Sequence, residues 1–465
     1  MKAAVIGSPI THSLSPTIFN FISEQQNYPL QYSAQEVQLA EVPNFLQSIR
    51  ENKEYLGLNV TLPLKEAVIS ELDQLSEEAS SIGAVNVIQR NGSALIGFNT
   101  DVIGIQKTFT SLNFSPSNQN CLLFGAGGSA KAVACVLGKL TAKNVYIYNP
   151  RSGRGSELAK SFSTLFPNTS FRSIQSLEEI KDVKISLIVN STPVGMKSSI
   201  PSEVNASDFF KDIGNITFSE SAIAFDLIYT PKNTEFLKKT KSLGLTSIGG
   251  LGMLIDQAIA TWEICIKPIK NTELLHEELE KLLRGILQLR QNPSPIFLTG
   301  FMGVGKTVIG KELALLTGRT FLDTDHLIEK ETGLSVQELF SQKGEPEFRL
   351  FEKKAVHLAS QTKNTVISLG GGAIMNEDNL NIILATGTLI CLTADEDTLT
   401  KRLSRSTRPL FAGLDSAGIK IKIKSLLRER EKNYARAQFE ISTINQRPYE
   451  TAQHLISRIG EKSES

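Results

Sequence analysis

Two glycine-rich loops mark where this chain could hold nucleotides. The first, FGAGGSA at 124–130, sets Gly125, Gly127 and Ala130 in the pattern G-x-G-x-x-G/A between an apolar run and a helical one. Glycine there permits a tight turn and lets backbone N–H groups at a helix start reach a pyrophosphate. The second, TGFMGVGKT at 299–307, satisfies G-x-x-x-x-G-K-[ST] through Gly300, Gly305, Lys306 and Thr307. In such a loop the amides cradle nucleotide phosphates, the lysine reaches the β and γ groups and the hydroxyl ligates Mg²⁺. A dinucleotide and a nucleoside triphosphate imply two group transfers, one of hydride and one of phosphoryl.

The first loop also carries a cofactor preference. NAD enzymes place an acid about 20 residues after it to hold the ribose 2′-hydroxyl. NVYIYNPRSGR at 144–154 has no acid and offers Arg151 and Arg154, so a 2′-phosphate finds cations where a hydroxyl finds no acceptor. NADP is expected. Reducing a ketone requires a proton donor or cation at the developing alkoxide, and Lys65, held and tuned by Asp101, is the natural candidate. For phosphoryl transfer, Asp323 and Asp325 alternate in FLDTD and would face one side of an extended strand end. One can support the metal through water while the other accepts a hydroxyl proton.

Elements must hold these groups in place. Short apolar runs punctuated by Gly and Pro (KAAVIG, LGLNVTL, CLLFG, NVYIYN, ISLIVNS, IAFDLI) alternate with helical patterns around 16–26 and 128–140. The alternation predicts βαβ units and a parallel sheet, and it restarts at PIFLTG through TVISLGGG and GTLICL as a second α/β domain. Between them Leu275, Leu279, Leu282, Leu283 and Ile286 keep one helical face, assigned to the end of the first half. RQNPSP, with its two prolines, reads as the linker, bounded at 289–295.

Bulk composition excludes several classes. A chain of 465 residues implies two or three cores. Forty-nine Lys and Arg against 48 Asp and Glu leave +1, which gives no global field toward DNA or an anionic membrane, and 7% aromatic residues suggest no stacking surface. Cys121, Cys135, Cys265 and Cys391 form no C-x-x-C pair, so neither zinc nor a disulfide framework is expected, and a reducing, cytoplasmic setting fits. The start, MKAAVIGSPITHSLSP, reads as a first strand and not a signal peptide. No apolar stretch reaches the roughly 18 residues of a membrane span.

SPITHSLSP (8–16), NVTLPLKE (59–66), IGAVN (82–86), FNTD (98–101), GAGGSA, NSTPVGM (190–196) and GGLGMLIDQ (249–257), in that order, resemble the shikimate dehydrogenase family over about residues 1–288. The resemblance implies a discontinuous α/β substrate domain, 1–101 with 249–288, and a Rossmann NADP-binding domain at 102–248. It implies that Lys65 and Asp101 are the catalytic pair that reduces 3-dehydroshikimate to shikimate. Ser13 and Ser15 fall on the substrate carboxylate, with Thr61, Asn86, Asp101, Tyr229 and Gln257 around the ring. Gly125, Gly127, Gly128, Ala130, Asn149, Arg151, Arg154, Gly250 and Met253 fall on NADP(H). The chain departs from the family in two places: the first arginine after Asn149 is shifted one position by Pro150, and Val102 stands where glycine usually follows the aspartate. Quinate with NAD is the alternative chemistry, opposed by the missing acid and by the Ser-Leu-Ser segment.

FLDTDHLIEKETG (321–333), GEPEFRLFE (344–352), SLGGGA (368–373), RSTRPL (405–410) and REREKNY (428–434) resemble the shikimate kinase family across about 294–462. A P-loop NTPase domain with a parallel sheet, of the nucleoside-monophosphate-kinase kind, is implied for 296–462. Gly303, Gly305, Lys306 and Thr307 then hold ATP, with Arg405 near the adenine and Arg408 on a lid that brings charge to the transferring group. Thr307 and Asp323 serve Mg²⁺, and Asp325 serves the substrate hydroxyls as base. Arg349 and Arg430 take the shikimate carboxylate, the bidentate task for which a guanidinium is suited, and Gly371 and Gly372 approach the ring. Lys432 replaces a usual proline. A nucleoside or gluconate kinase is the alternative, but it has no use for both Arg349 and Arg430. The product of the first reaction would be the acceptor of the second, so small molecules are the expected partners, with no nucleic acid and no membrane. Oligomeric state is not legible.

Overall fold

The computed structural model describes residues 1–10, 13–149, 153–196, 204–404, 411 and 414–461. The chain divides into two compact units, Met1–Glu280 and Lys281–Ser465.

The first unit contains two six-stranded sheets. One is built from β1 (Lys2–Gly7), β2 (Gln31–Glu36), β3 (Tyr55–Val60), β4 (Gln74–Leu75), β5 (Val87–Asn91) and β6 (Ala94–Phe98), in the order β2-β1-β3-β5-β6-β4. The expected parallel sheet holds for the β2-β1-β3 pairs and for β4 with β6, but β5 runs antiparallel to both β3 and β6 and makes the sheet mixed. The cause is local. Asn91 pairs with Ala94 across a two-residue loop opened by Gly92 at φ +64°, a hairpin that the sequence RNGSA signals. Helix Leu251–Cys265, with Trp262 wholly buried, returns to pack on β3, β5 and helices Ser15–Gln25 and Asp101–Ser111.

The second sheet is parallel throughout: β7 (Asn120–Phe124), β8 (Asn144–Tyr148), β9 (Ser170–Ile174), β10 (Ile185–Asn190), β11 (Phe218–Asp226) and β12 (Thr246–Gly249), in the order β12-β11-β10-β7-β8-β9. Its strands are apolar on both faces. Cys121, Leu123, Val145, Ile147, Leu187 and Val189 feed one core, and Leu122, Phe124, Tyr146 and Ile188 feed the other. A parallel sheet covered on both sides demands this pattern. The chain leaves β7 and β10, which are neighbours, toward opposite edges, so a crevice opens at their carboxyl ends. GAGGSA follows β7 and NSTPVGM follows β10 there.

The second unit holds one parallel sheet of β13 (Ile296–Gly300), β14 (Thr320–Asp323), β15 (Thr365–Ser368), β16 (Thr388–Thr393) and β17 (Phe439–Ser442), in the order β14-β15-β13-β16-β17. Phe297, Ile367, Leu389 and Leu380 lie in its core.

The expected linker is corrected by the structure. Helix Thr272–Gln291 takes in residues 289–291, because the backbone restriction of Pro293 reaches back only to Asn292. From Lys281 onward the helix belongs to the second unit. There Gly285 meets helix Pro448–Glu461 so closely that a Cβ on it would lie 2.0 Å from the Ile456 carbonyl oxygen. Arg319 then donates to the carbonyls of Leu289, Asn292 and Ser294, satisfying groups that a helix end leaves without partners.

Candidate active sites

The residues expected around a substrate ring converge in the first unit. Lys65 stands after β3, and its Nζ lies 2.6 Å from Oδ2 of Asp101, with both side chains largely buried. Asp101 opens helix Asp101–Ser111, where a carboxylate complements the positive helix end. Its Oδ1 accepts from Asn86 Nδ2 at 2.9 Å, and the same amide reaches Thr100 Oγ1 at 3.0 Å. Thr100 lies 3.4 Å from Gln257 Oε1 and 3.2 Å from Thr261 Oγ1. Lys65, Asp101, Asn86 and Gln257 thus share one buried polar network.

The network extends through residues that sequence reasoning passed over. Thr261 accepts from Asn59 Nδ2 at 3.3 Å, and Asn59 Oδ1 accepts from Tyr32 OH at 2.7 Å. Burial pushes the Tyr32 phenol well up, which keeps it a donor. Asn59 lay inside the quoted NVTLPLKE, but its partners are some 30 and 200 residues away, and no local pattern encodes them. Ser13 Oγ accepts from Ser15 N at 3.2 Å, a local turn bond just ahead of helix Ser15–Gln25, whose N-cap is Leu14. Thr61 packs against Gly7, whose chain leads into the serine segment. Tyr229 follows β11 by three residues.

The dinucleotide loop fits its cofactor. Gly125 sits at φ +108°, open to glycine, and a Cβ there would strike Ser191 Oγ at 2.6 Å. A Cβ on Gly127 would meet nothing within 4 Å, so the loop has open space in front of it, and helix Gly128–Lys139 begins directly behind with Ala130 buried. Asn149 directly follows β8 and Arg154 opens helix Arg154–Leu165, while Arg151 lies outside the described residues. Gly250 caps helix Leu251–Cys265, and Met253 is buried in the core beside β7. At the same crevice Asp226 accepts from Thr234 Oγ1, Asn190 Nδ2 and Ile228 N, yet burial raises its carboxyl to about 6.

In the second unit Thr307 Oγ1 donates to Asp323 Oδ2 at 2.9 Å, a pair of hard oxygens suited to Mg²⁺, which completes its shell with water and phosphate. Among the described residues no group of three or more His, Cys, Asp or Glu is disposed to bind a metal. Lys306 Nζ rests on the carbonyls of Gly300 and Phe301 at 2.9 and 3.3 Å. Gly303 and Gly305 both adopt positive φ in this loop.

The expectation that Asp323 and Asp325 lie on one side of a strand is corrected. β14 ends at Asp323, which is the N-cap of helix Thr324–Thr332, and its Oδ1 accepts from Asp325 N at 3.1 Å. Asp325 occupies the first helical turn, because an Asp side chain that takes a backbone N–H two residues on turns the chain into a helix.

Asp325 nonetheless faces the glycine loop after β15: a Cβ on Gly370 would lie 2.8 Å from its Oδ1 and 3.0 Å from Glu352 Oε1. Arg349 Nη1 donates to Glu352 at 2.7 Å and would lie 3.0 Å from a Cβ on Gly372. Arg430, buried on helix Ser416–Tyr434, donates to the Gly371 carbonyl at 2.8 Å. Asp325, Arg349, Arg430, Gly371 and Gly372 therefore gather at one place. Glu352 was missed. It sits three residues after Arg349, and burial raises its carboxyl although the neighbouring Arg349 opposes the shift. Arg402 was also missed. It joins the carbonyls of Gly303 and Val304 to Thr443. Arg405 and Arg408 lie outside the described residues.

Comparison with known proteins agrees with this division. The family model for the shikimate dehydrogenase substrate binding domain matches residues 5–88, and that for shikimate kinase matches 302–460. A shikimate dehydrogenase (NADP(+)) of Nitrosopumilus maritimus is 33% identical over 262 residues, 56% of this chain and 91% of its own. The solved shikimate 5-dehydrogenase of Thermus thermophilus in complex with NADP(H) and shikimate is similar at TM-score 0.50 and 31% identity, over 60% of this chain and 97% of that one. A chorismate mutase/shikimate 5-dehydrogenase fusion protein from Clostridium acetobutylicum is similar at TM-score 0.50 and 31% identity, over 60% and 97%. The chain therefore belongs to the shikimate dehydrogenase family through its first unit, and its second unit carries a shikimate kinase domain.

Proposed function

We propose that this bifunctional shikimate-pathway enzyme reduces 3-dehydroshikimate at the Lys65–Asp101 network and phosphorylates the resulting shikimate at the Asp325–Arg349–Arg430 cluster. The observation that carries the reading is the buried 2.6 Å pair of Lys65 and Asp101 in a unit whose dinucleotide loop has an open face. NADPH supplies the hydride, and ATP with Mg²⁺ supplies the phosphoryl group.

Lys65 gives a proton to the substrate carbonyl oxygen as that oxygen gains negative charge. Asp101, itself held by Asn86, keeps the ammonium aimed. Ser13 and Ser15 bind the carboxylate, while Thr61, Asn86, Tyr229 and Gln257 pair the ring hydroxyls, each of which would cost about 1–3 kcal/mol if buried without a partner. Gly125, Gly127, Gly128, Ala130, Asn149, Arg151, Arg154, Gly250 and Met253 take the cofactor.

In the second unit Arg349 and Arg430 hold the shikimate carboxylate, and Asp325 accepts the proton of the attacking 3-hydroxyl. Glu352 orients Arg349. Lys306 exchanges its carbonyl partners for phosphate oxygens, assisted by Gly303, Gly305, Arg405 and Arg408, and Thr307 with Asp323 holds the metal. A cytoplasmic setting is part of this proposal, supported by four free cysteines; no helix among the described residues is long and apolar enough to cross a membrane.

The test is one assay with the full chain, 3-dehydroshikimate, NADPH and Mg·ATP, following NADPH absorbance and ADP release. Lys65→Ala should lose about 10²–10⁴-fold in reduction and keep shikimate phosphorylation, and Lys306→Ala should do the converse. A wild type that leaves added shikimate unphosphorylated would refute the kinase reading.

A further inference from the structure

Proton donor and hydride donor are carried by different segments of the first unit, so something must set their mutual placement. Lys65 lies in the stretch after β3, where its carbonyl accepts from Val85 N at 2.7 Å. The cofactor lies on the loop that runs into helix Gly128–Lys139. The two meet at Gly128, whose Cβ, if present, would sit 3.7 Å from Lys65 Cδ and 3.5 Å from Ala84 Cβ. Such a contact is apolar and carries no directional preference.

Direction comes from charge. Lys131, on the first turn of the helix, places Nζ 2.8 Å from Oε1 of Glu66, the residue that follows Lys65. At the far end of the same helix, Lys139 pairs with Glu78 at 2.9 Å. Both side chains of the first pair are partly exposed, at 26% and 53%, so its worth to global stability is small. Its worth to the reaction need not be small, because a misplacement of about 1 Å between reacting groups can cost on the order of a hundredfold in rate.

We infer that Glu66 and Lys131 are a positioning pair that sets the NADPH-bearing helix against Lys65. Neither touches the reacting atoms. The pair fixes the angle and slide of the helix at Gly128, and thereby the approach of the cofactor to the carbonyl that Lys65 protonates. The inference rests on the dehydrogenase reading above.

The test uses the full chain with Glu66→Gln, Lys131→Gln, Lys131→Arg, the exchange Glu66→Lys with Lys131→Glu, and Lys139→Gln as a control at the distant pair. Readouts are kcat and KM for NADPH, the isotope effect with NADPH deuterated at the transferred position, thermal midpoint and shikimate phosphorylation. Each Gln variant at the first pair should lose about tenfold in kcat, with an isotope effect at or above the wild-type value and unchanged melting and kinase turnover. Lys131→Arg and the exchanged pair should recover to within about threefold of wild type. The inference is overturned if the Gln variants keep wild-type kcat, lose activity only in step with their melting point, or show a diminished isotope effect. An equal loss in Lys139→Gln also overturns it, since the role would then be general helix docking. A wild type that consumes no NADPH removes the dehydrogenase reading and this inference together, whereas an active wild type with unaffected variants removes the inference alone.

Discussion

Arg349 lies on the surface of its helix and pairs with two carboxylates, the exposed Glu345 and Glu352, which is almost wholly buried. A buried acid is costly unless a cation faces it, and here the cation is itself proposed to bind the substrate carboxylate. Glu352→Gln should leave Arg349 charged but held only by the exposed Glu345, free to swing away from Gly372. The expected outcome is a KM for shikimate raised about tenfold with kcat changed less than about threefold, read by steady-state phosphorylation at saturating ATP. A fall in kcat at constant KM would place Glu352 in the chemistry instead. At this scale the residues inside dense motifs were legible: Lys65, Asp101, Thr307, Arg349 and Arg430 do meet partners suited to their proposed roles. Glu352 and Asn59 stood inside quoted segments and still went unread, because what distinguishes them is burial beside a distant group.

Among elements, the carboxyl ends of β10 and β11 carry a pH dependence. Asp226 is raised from 3.8 to about 6 by burial, so the folded state holds an extra proton between those values. Its stabilising effect is complete below about pH 4 and is lost as pH rises through about 6. Asp226→Asn removes the titration. The amide oxygen can keep the bonds from Asn190 and Ile228, and the amide nitrogen can donate to Thr234 Oγ1. The variant should therefore gain stability relative to wild type as pH rises from 4.5 to 7.5, by about 2 kcal/mol, measured by urea unfolding of the first unit's transition. A difference that is flat across this range would show that Asp226 titrates normally. The parallel runs of the second and third sheets were plain from their apolar character, whereas the mixed first sheet was not, although Asn91-Gly92 announced its hairpin.

For the whole molecule, the division between units falls inside a helix and not at the prolines. Leu282, Leu283 and Ile286 are completely buried in the second unit, and Arg319 spends its donors on the helix end. A kinase fragment begun at Ile296 should thus melt at least about 10 °C below one begun at Thr272, as expected when several buried aliphatic side chains are lost. Equal melting points and equal kinase turnover would return the helix to the first half, as its apolar spacing alone suggested.

Sequence by itself determined the two chemistries, because phosphate loops and their accessory residues are short, contiguous and constrained by backbone geometry: Gly125 and Gly305 must reach conformations that glycine favours, and Lys306 must follow at once. It also determined the alternation of strand and helix, which follows from which faces are apolar. Only the tertiary structure decided which carboxylate each cation meets, where Asp325 leaves the strand for a helix, and which unit owns the second half of helix Thr272–Gln291. Those outcomes depend on burial and on contacts between residues far apart in the chain, and a local pattern carries no information about either.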